Sequence, residues 1–486
     1  MGIVINQSFK NTITTYLGFG LGAINTLFLY TEFMSDQYYG LVAYILSTAN
    51  IMMPLMAFGV HNTMIKYYST FKTKNSLNSF MTLMLFLPLA LTIPIGIIGY
   101  LSYDSIASWL SQKNGIVEDY LWYILITAFA MAYFEVFFAW VKVQMKTVFG
   151  NFMKEVFHRV GVMILLFALY FEWIAVEQFL IGLVGVYILR MIAMLVNAFY
   201  IRLPVFRFNK IDRLSSILKY SSLIIIAGSI ATMILDIDKF MLNNYIEIEK
   251  IAYYSVATFI ATVIAVPQRA MHQIMMPLTA KFINDNNREE LNDLYERSSL
   301  TLYIISGFIF LLIVLNINEL YNIIPEEFSG GIVVVFLISI AKLYDNLLGN
   351  NNAILFNSDY YRMVLVFGVI LAICAIILNV ILIPLYGING SALATLIAVV
   401  VYNTIKVVFV KMKFDMLPFT TQTLKISGLL ILCVLTFYFW EFPFNAYINI
   451  LLKSLLVGVV YGLLVYKLNV SEDISEMFNK YLKLKK

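Results

Sequence analysis

The chain has 486 residues, 61% hydrophobic and only 13% charged, with a formal net charge of +4. A soluble chain would carry about twice that charge fraction, and the basic residues are spread over many short segments, which excludes a nucleic-acid surface. Two cysteines (Cys374, Cys433) and three histidines (His61, His158, His272) supply neither a disulfide framework nor a multi-histidine metal site, so no cofactor or metal is expected.

Fourteen apolar stretches follow one another along the chain, at 12–30, 38–60, 80–100, 120–141, 151–170, 179–199, 220–242, 252–275, 299–315, 331–348, 363–383, 390–410, 426–440 and 448–466. A membrane-spanning helix needs about 20 such residues. The first stretch is too long for a signal-peptide core and reads as a retained span. Lys and Arg fall almost only in every second gap. Lys66, Lys72 and Lys74 follow the second stretch, Lys142, Lys146 and Lys154 the fourth, and Arg202, Arg207, Lys210, Arg213 and Lys219 the sixth. The pattern continues with Lys281, Arg288 and Arg297, then Arg362, then Lys411, Lys413 and Lys425, and with Lys467, Lys480, Lys483, Lys485 and Lys486 in the tail. The positive-inside rule puts these gaps and both termini in the cytoplasm, which requires an even number of spans. The expected fold class is an all-α polytopic membrane protein of about 14 transmembrane helices in the cytoplasmic (inner) membrane. The gaps are too short to hold a separate soluble domain.

A weak repeat runs at about 210 to 215 residues. Tyr38, Tyr39 and Gly40 open the second stretch, and Tyr253, Tyr254 and Ser255 open the eighth; Pro54 and Pro267 interrupt the two at nearly matching places. The segments 173–176 and 385–388 agree in position. The repeat divides the chain into a six-helix lobe at 1–205, a second at 206–415, and two additional helices with a tail at 416–486. Two six-span lobes share their orientation and would enclose a central cavity.

Charged side chains at membrane depth cost at least about 2.5–3.5 kcal/mol on insertion scales and usually face a wet cavity or a partner. Asp236 and Lys239 share a helix face, as do Arg269 and His272, and Lys342 and Asp345. Glu135 has no cation within four residues on its own helix, so its partner comes from another span or it titrates. Glu135 and Asp345 lie at the repeat offset. Arg190 is embedded in the sixth stretch, and Arg159 reads as snorkelling to the headgroups. No phosphate-binding Gly-rich loop, selectivity-filter pattern or arginine ladder is present.

Three segments carry a family likeness: 36–41 (Asp-Gln-Tyr-Tyr-Gly-Leu), 238–242 (Asp-Lys-Phe-Met-Leu) with 251–257 (Ile-Ala-Tyr-Tyr-Ser-Val-Ala), and 386–395 (Tyr-Gly-Ile-Asn-Gly-Ser-Ala-Leu-Ala-Thr). In them the chain resembles the Wzx-type polysaccharide flippases of the multidrug/oligosaccharidyl-lipid/polysaccharide exporter superfamily, with Ala252 where that family often has Gly. The resemblance implies a non-enzymatic flippase that moves polyprenyl-diphosphate-linked oligosaccharides between leaflets for O-antigen or capsule synthesis, with membrane lipids and a polysaccharide polymerase as partners. From depth and spacing alone, Arg269, Lys342, Arg190 and Lys239 are the candidate cations for the diphosphate. Asp238, Glu135 and Asp345 are the candidate carboxylates for coupling to H⁺ or Na⁺. Two alternatives stand beside this reading: a multidrug or small-molecule antiporter of the same superfamily, and a membrane-embedded glycosyltransferase or polymerase, for which the outward gaps are short.

Overall fold

The computed structural model describes residues 2–471, the side chains of 2–9, 226–233, 270 and 273 excepted. The tail lysines Lys480, Lys483, Lys485 and Lys486 lie outside the described residues. Every apolar stretch falls on helix, and no strand occurs among the described residues. Six helices are α1 (Lys10–Phe33), α2 (Asp36–Ala57), α3 (Lys74–Leu101), α4 (Gly115–Lys142), α5 (148–170) and α6 (Val176–Ile201). Then come α7 (Leu214–Leu242) and α8, which runs as Glu249–Thr262 and Val266–Asn284 on either side of a 3-10 turn. They are followed by α9 (Arg288–Leu315), α10 (Glu326–Leu347), α11 (361–386), α12 (388–414), α13 (Thr421–Phe437) and α14 (Ala446–Lys467). Ten continuous helical segments among the described residues are long and apolar enough to cross a membrane, and one of them, Tyr361–Phe414, contains both α11 and α12.

The backbone between α11 and α12 departs from helix at Gly387, with φ 57° and ψ −132°. Only glycine adopts that conformation without strain. A Cβ on Gly390 would strike the carbonyl of Leu382. Residues eight apart in a straight helix lie about 12 Å apart, so the chain folds back on itself here. The Tyr-Gly-Ile-Asn-Gly segment is therefore a tight reversal. The turn between α5 and α6 also carries one positive-φ residue, Glu172, at the 215-residue offset from Gly387.

The chain forms two compact units, Met1–Ser255 and Val256–Lys486. In the first, α4 packs against α2 and α6, α7 lies along α2, and α1 packs on α5. Its core contains Phe134, Phe137, Phe138 and Trp140 of α4. In the second, α10 packs on α12, and α9 packs on α10, α13 and α14. A separate apolar cluster joins Tyr303, Ile304 and Leu311 of α9 to Leu430 of α13 and Val457 and Tyr461 of α14.

The segments at 36–41 and 238–242 and the first part of the third, 251–255, meet at one junction in the first unit. Tyr253 donates to Asp36 Oδ2 (2.7 Å), and Tyr254 donates to Asp238 Oδ2 (2.5 Å). Gly40 lies against the carbonyl of Ile248, in the turn between α7 and α8, with no room for a Cβ. Overpacking of this kind costs about 1–3 kcal/mol. Gly40→Ala is expected to lower the thermal midpoint of the detergent-solubilised protein, measured by fluorescence-detected size exclusion. An unchanged melt would show that the loop yields freely.

Candidate functional site

Charged and polar side chains gather inside each unit. In the first unit the organising element is α5, which departs from α-helix in a π-helical turn, Met153–Phe157. Such turns insert one extra residue into the helical register and often mark functional sites. This one carries Lys154 and Glu155. Lys154 Nζ reaches across to Glu135 Oε1 on α4 at 2.5 Å. Glu135 is only 12% exposed, whereas Lys154 is 42% exposed. The partner of Glu135 thus comes from another helix, and the other ionisable groups facing it are Lys142 and His61. Arg159 pairs with Glu155 one turn back, at 3.2 Å between Nη1 and Oε2, and also donates to the Glu155 carbonyl. Arg159 thus reaches back toward the start of α5, the direction expected of a side chain that snorkels to the headgroups.

Arg190 of α6 stands in the middle of this group and is 7% exposed. Its guanidinium lies 4.3 Å from the centre of the Phe134 ring and 4.9 Å from that of Tyr187. His158 of α5 also packs near Tyr187, with ring centres 5.9 Å apart. Arg190 makes no ion pair with the described residues, and its buried Nε has no hydrogen-bond partner. The carboxylates nearest to it, Glu135 and Glu155, are already engaged by Lys154 and Arg159. The result is a guanidinium stacked on aromatic faces with no dedicated anion.

In the same unit, Asp238 is fully buried in the junction formed with Tyr254. Lys239 is half-buried, with Asp236 and Asp238 as its charged neighbours, but no described carboxylate comes within ion-pair distance of it. Asp236 faces Ser47 and Asn50 of α2.

The second unit holds a comparable group on α8, α10 and α12. Asp345 of α10 accepts from Asn403 Nδ2 at 3.1 Å and from Gln268 Nε2 at 3.4 Å. His272 and Lys406 are its ionisable neighbours. Lys406 is 1% exposed; its Nζ donates to Asn352 Oδ1 at 3.0 Å and sits 4.2 Å from the centre of the Tyr402 ring. Lys342 is half-buried on α10, one turn from Asp345, while Arg269 is exposed beside Pro267. The expected grouping of cations is therefore divided: Arg190 is buried in a polar cluster of its own unit, and Arg269 is not.

Lys406 and Lys154 were both missed as members of these clusters, since each reads as one more basic residue at the charged end of its span. The helical period could have singled out Lys406. It lies four residues after Tyr402 and three after Asn403, on the face that α12 turns toward α10.

The two clusters share a plan. Each joins a histidine after an interrupted helix (His61, His272), a carboxylate on α4 or α10 (Glu135, Asp345) and a buried cation on α6 or α12 (Arg190, Lys406). The first two pairs lie at offsets of 211 and 210 residues.

No family model and no curated protein matches the sequence. Solved structures do. "Lipid II flippase MurJ, inward closed conformation" aligns with a TM-score of 0.74 and 15% identity, over 95% of this chain and 99% of that one. An inward-facing multidrug resistance MATE family transporter of the MOP superfamily aligns at 0.58 and 14% identity, over 85% and 95% of the two chains. A MATE crystal structure in complex with MaL6 aligns at 0.58 and 13%, over 84% and 96%. The chain shares the fold of these transporters. It is a multi-pass membrane protein, and its structural neighbours are transporters rather than enzymes.

Proposed function

We propose that the chain is a flippase of the Wzx type, moving polyprenyl-diphosphate-linked oligosaccharide units across the cytoplasmic membrane for surface polysaccharide synthesis. Arg190 is the observation that carries this reading. Burying an uncompensated charge is expensive. A fold that keeps a guanidinium stacked and without a counterion is prepared for an anion that arrives from outside. A diphosphate is such an anion, and it accepts the planar, bidentate fork of arginine well. The isoprenoid tail stays in the bilayer while the head group passes through a hydrated path. Arg269, Lys342 and Lys239 are the further cations assigned to that path.

Transport proceeds by alternating access, with both termini cytoplasmic as the basic gaps require. Lacking a nucleotide-binding loop, the chain draws its energy from an H⁺ or Na⁺ gradient, with Glu135, Asp345 and Asp238 as the coupling carboxylates. A polysaccharide polymerase consumes the unit on the outer leaflet. The multidrug antiporter reading is equally compatible with the shared fold. It accounts for a buried guanidinium without an anion only where the small-molecule substrate is itself an anion. Depletion of the protein in its host is expected to abolish surface polysaccharide and to leave the lipid-linked unit accumulated and inaccessible to an impermeant sugar-oxidising reagent. Normal polysaccharide together with a new sensitivity to cationic drugs would favour the antiporter.

A further inference from the structure

Helix α6 ends at Ile201 and α7 begins at Leu214, and neither helix nor strand forms between them. Pro204 cannot donate to the α6 ladder, and it pushes Leu203 out of helix. The connecting strap is pinned to one face of α3, at Asn78, Thr82 and Phe86, each four residues from the next. Arg202 donates from Nη2 to Asn78 Oδ1 at 2.9 Å and from Nη1 to the Tyr68 hydroxyl at 2.8 Å. One turn on, Thr82 Oγ1 accepts from the Arg207 amide at 3.1 Å and lies 3.3 Å from the Val205 carbonyl oxygen. A further turn on, the ring centres of Phe206 and Phe208 lie 5.7 Å and 6.3 Å from that of Phe86.

This climb along α3 sets the depth of the strap. The apolar run of α3 begins at Phe80. Thr82 lies about 3 Å and Phe86 about 9 Å beyond that point. The strap backbone is thus held at the edge of the apolar layer, and its rings reach one turn deeper. From Leu203 to Asp212, no backbone group other than those at Thr82 bonds to a described residue. Irregular backbone of this kind is tolerated at a membrane boundary, where water and headgroups reach it, and not in the hydrocarbon. Leu203 is 74% and Phe208 82% exposed, with Val205 and Phe206 exposed beside them. Four large apolar side chains on one short strap form a patch that a folded chain does not leave to water. Arg207, Lys210 and Arg213 are exposed too and make no ion pair with a described residue, and Asp212 is the one acid of the strap.

We infer that residues 202–213 dock on the membrane surface at the Lys74 end of α3, which the positive-inside rule makes the cytoplasmic one. Leu203, Val205, Phe206 and Phe208 enter the boundary between headgroups and acyl chains, and Arg207, Lys210 and Arg213 hold the phosphates of anionic phospholipids. The depth read along α3 matches the roughly 5–10 Å to which interfacial apolar faces are buried. Basic residues close to an anionic leaflet each add to the attraction, and here the apolar anchors keep them at headgroup level. Such docking is independent of what the chain transports.

Two full-length chains test this in liposomes of phosphatidylcholine and phosphatidylglycerol. Each has Cys374→Ser and Cys433→Ser, and carries a nitroxide on either Phe208→Cys or Asn209→Cys. Power saturation should find the nitroxide at position 208 more accessible to oxygen than to a water-soluble nickel chelate. The nitroxide at position 209, on the opposite side of the extended strap, should show the reverse. Native mass spectrometry from mixed-lipid nanodiscs should find phosphatidylglycerol enriched over phosphatidylcholine on the parent protein. Arg207→Gln combined with Lys210→Gln should lower that enrichment about threefold. A nitroxide at position 208 that meets the nickel chelate freely would place the strap in water. One shielded from both reagents would place it under protein, such as a second copy. Either result overturns the docking, and an unchanged enrichment in the Gln variant overturns the role of the basic residues.

Discussion

Arg190→Gln is expected to retain protein abundance and to lose transport of the lipid-linked unit by about 100-fold. Two charge-assisted hydrogen bonds to a diphosphate contribute about 3 kcal/mol together, and each 1.4 kcal/mol is a factor of ten. The cost in stability is small. Arg190 has no ion pair to lose, and its contacts with Phe134 and Tyr187 contribute roughly 0.5–2 kcal/mol. Removing a buried, uncompensated charge offsets part of that loss. Arg190→Lys keeps the charge but loses the planar fork, and is expected to recover transport only partly. Abundance by immunoblot and flipping by protection of the sugar from an impermeant reagent should be measured together. A variant that folds poorly and flips normally per molecule would make Arg190 a packing residue.

The second large effect is expected at Asp345. Lys406 is buried, and Asp345 is the carboxylate that faces it. Asp345→Asn leaves that ammonium with only Asn352 and the Tyr402 ring. Breaking a buried charge pair costs about 3–5 kcal/mol. Asp345 is half-buried and the two groups do not touch, so the cost should fall near or below the lower end of that range. Abundance should drop sharply. Lys406→Met added to Asp345→Asn removes the stranded charge and is expected to restore abundance. If Asp345 also couples an ion, the double variant will be abundant yet insensitive to imposed H⁺ and Na⁺ gradients. A double variant that responds to gradients as the parent does would limit Asp345 to balancing Lys406.

The fold was largely legible because its two strongest signals are compositional. Stretches of about 20 apolar residues have few alternatives to a helix in a membrane, and all fourteen fall on helix. The reversal at Gly387 was also visible, since Tyr-Gly-Ile-Asn-Gly between two apolar runs is turn chemistry. The clusters were only half legible. Glu135, Arg190 and Asp345 were found because a lone charge in an apolar run is conspicuous. Lys154 and Lys406 were hidden among the basic residues at helix ends, where charge is the norm. The pairing of Lys154 with Glu135 also depends on the π-turn at Met153–Phe157, and one extra residue in a helix leaves the hydrophobic pattern unchanged. Nor could the sequence separate Arg269 from Arg190. Both are arginines within apolar spans, and only packing decides that Arg190 is enclosed by Phe134 and Tyr187 while Arg269 is exposed. The junction of Asp36, Gly40, Asp238, Tyr253 and Tyr254 carries a further lesson. Segments that read as a family likeness are bound to one another there by hydrogen bonds and close packing, which is reason enough for those residues to occur together.

The central claim is best tested with the purified protein in proteoliposomes that carry a fluorescent polyprenyl-diphosphate-linked oligosaccharide in both leaflets. Dithionite quenches the probe in the outer leaflet only. With the protein present, quenching is expected to pass well beyond half of the probe. Vesicles holding Arg190→Gln should stop near half, and an inorganic pyrophosphate analogue of the head group should slow the parent protein. Quenching that stops at half with the intact protein, in vesicles where the same preparation exchanges a cationic drug for H⁺ or Na⁺, would contradict the account and make the chain an antiporter.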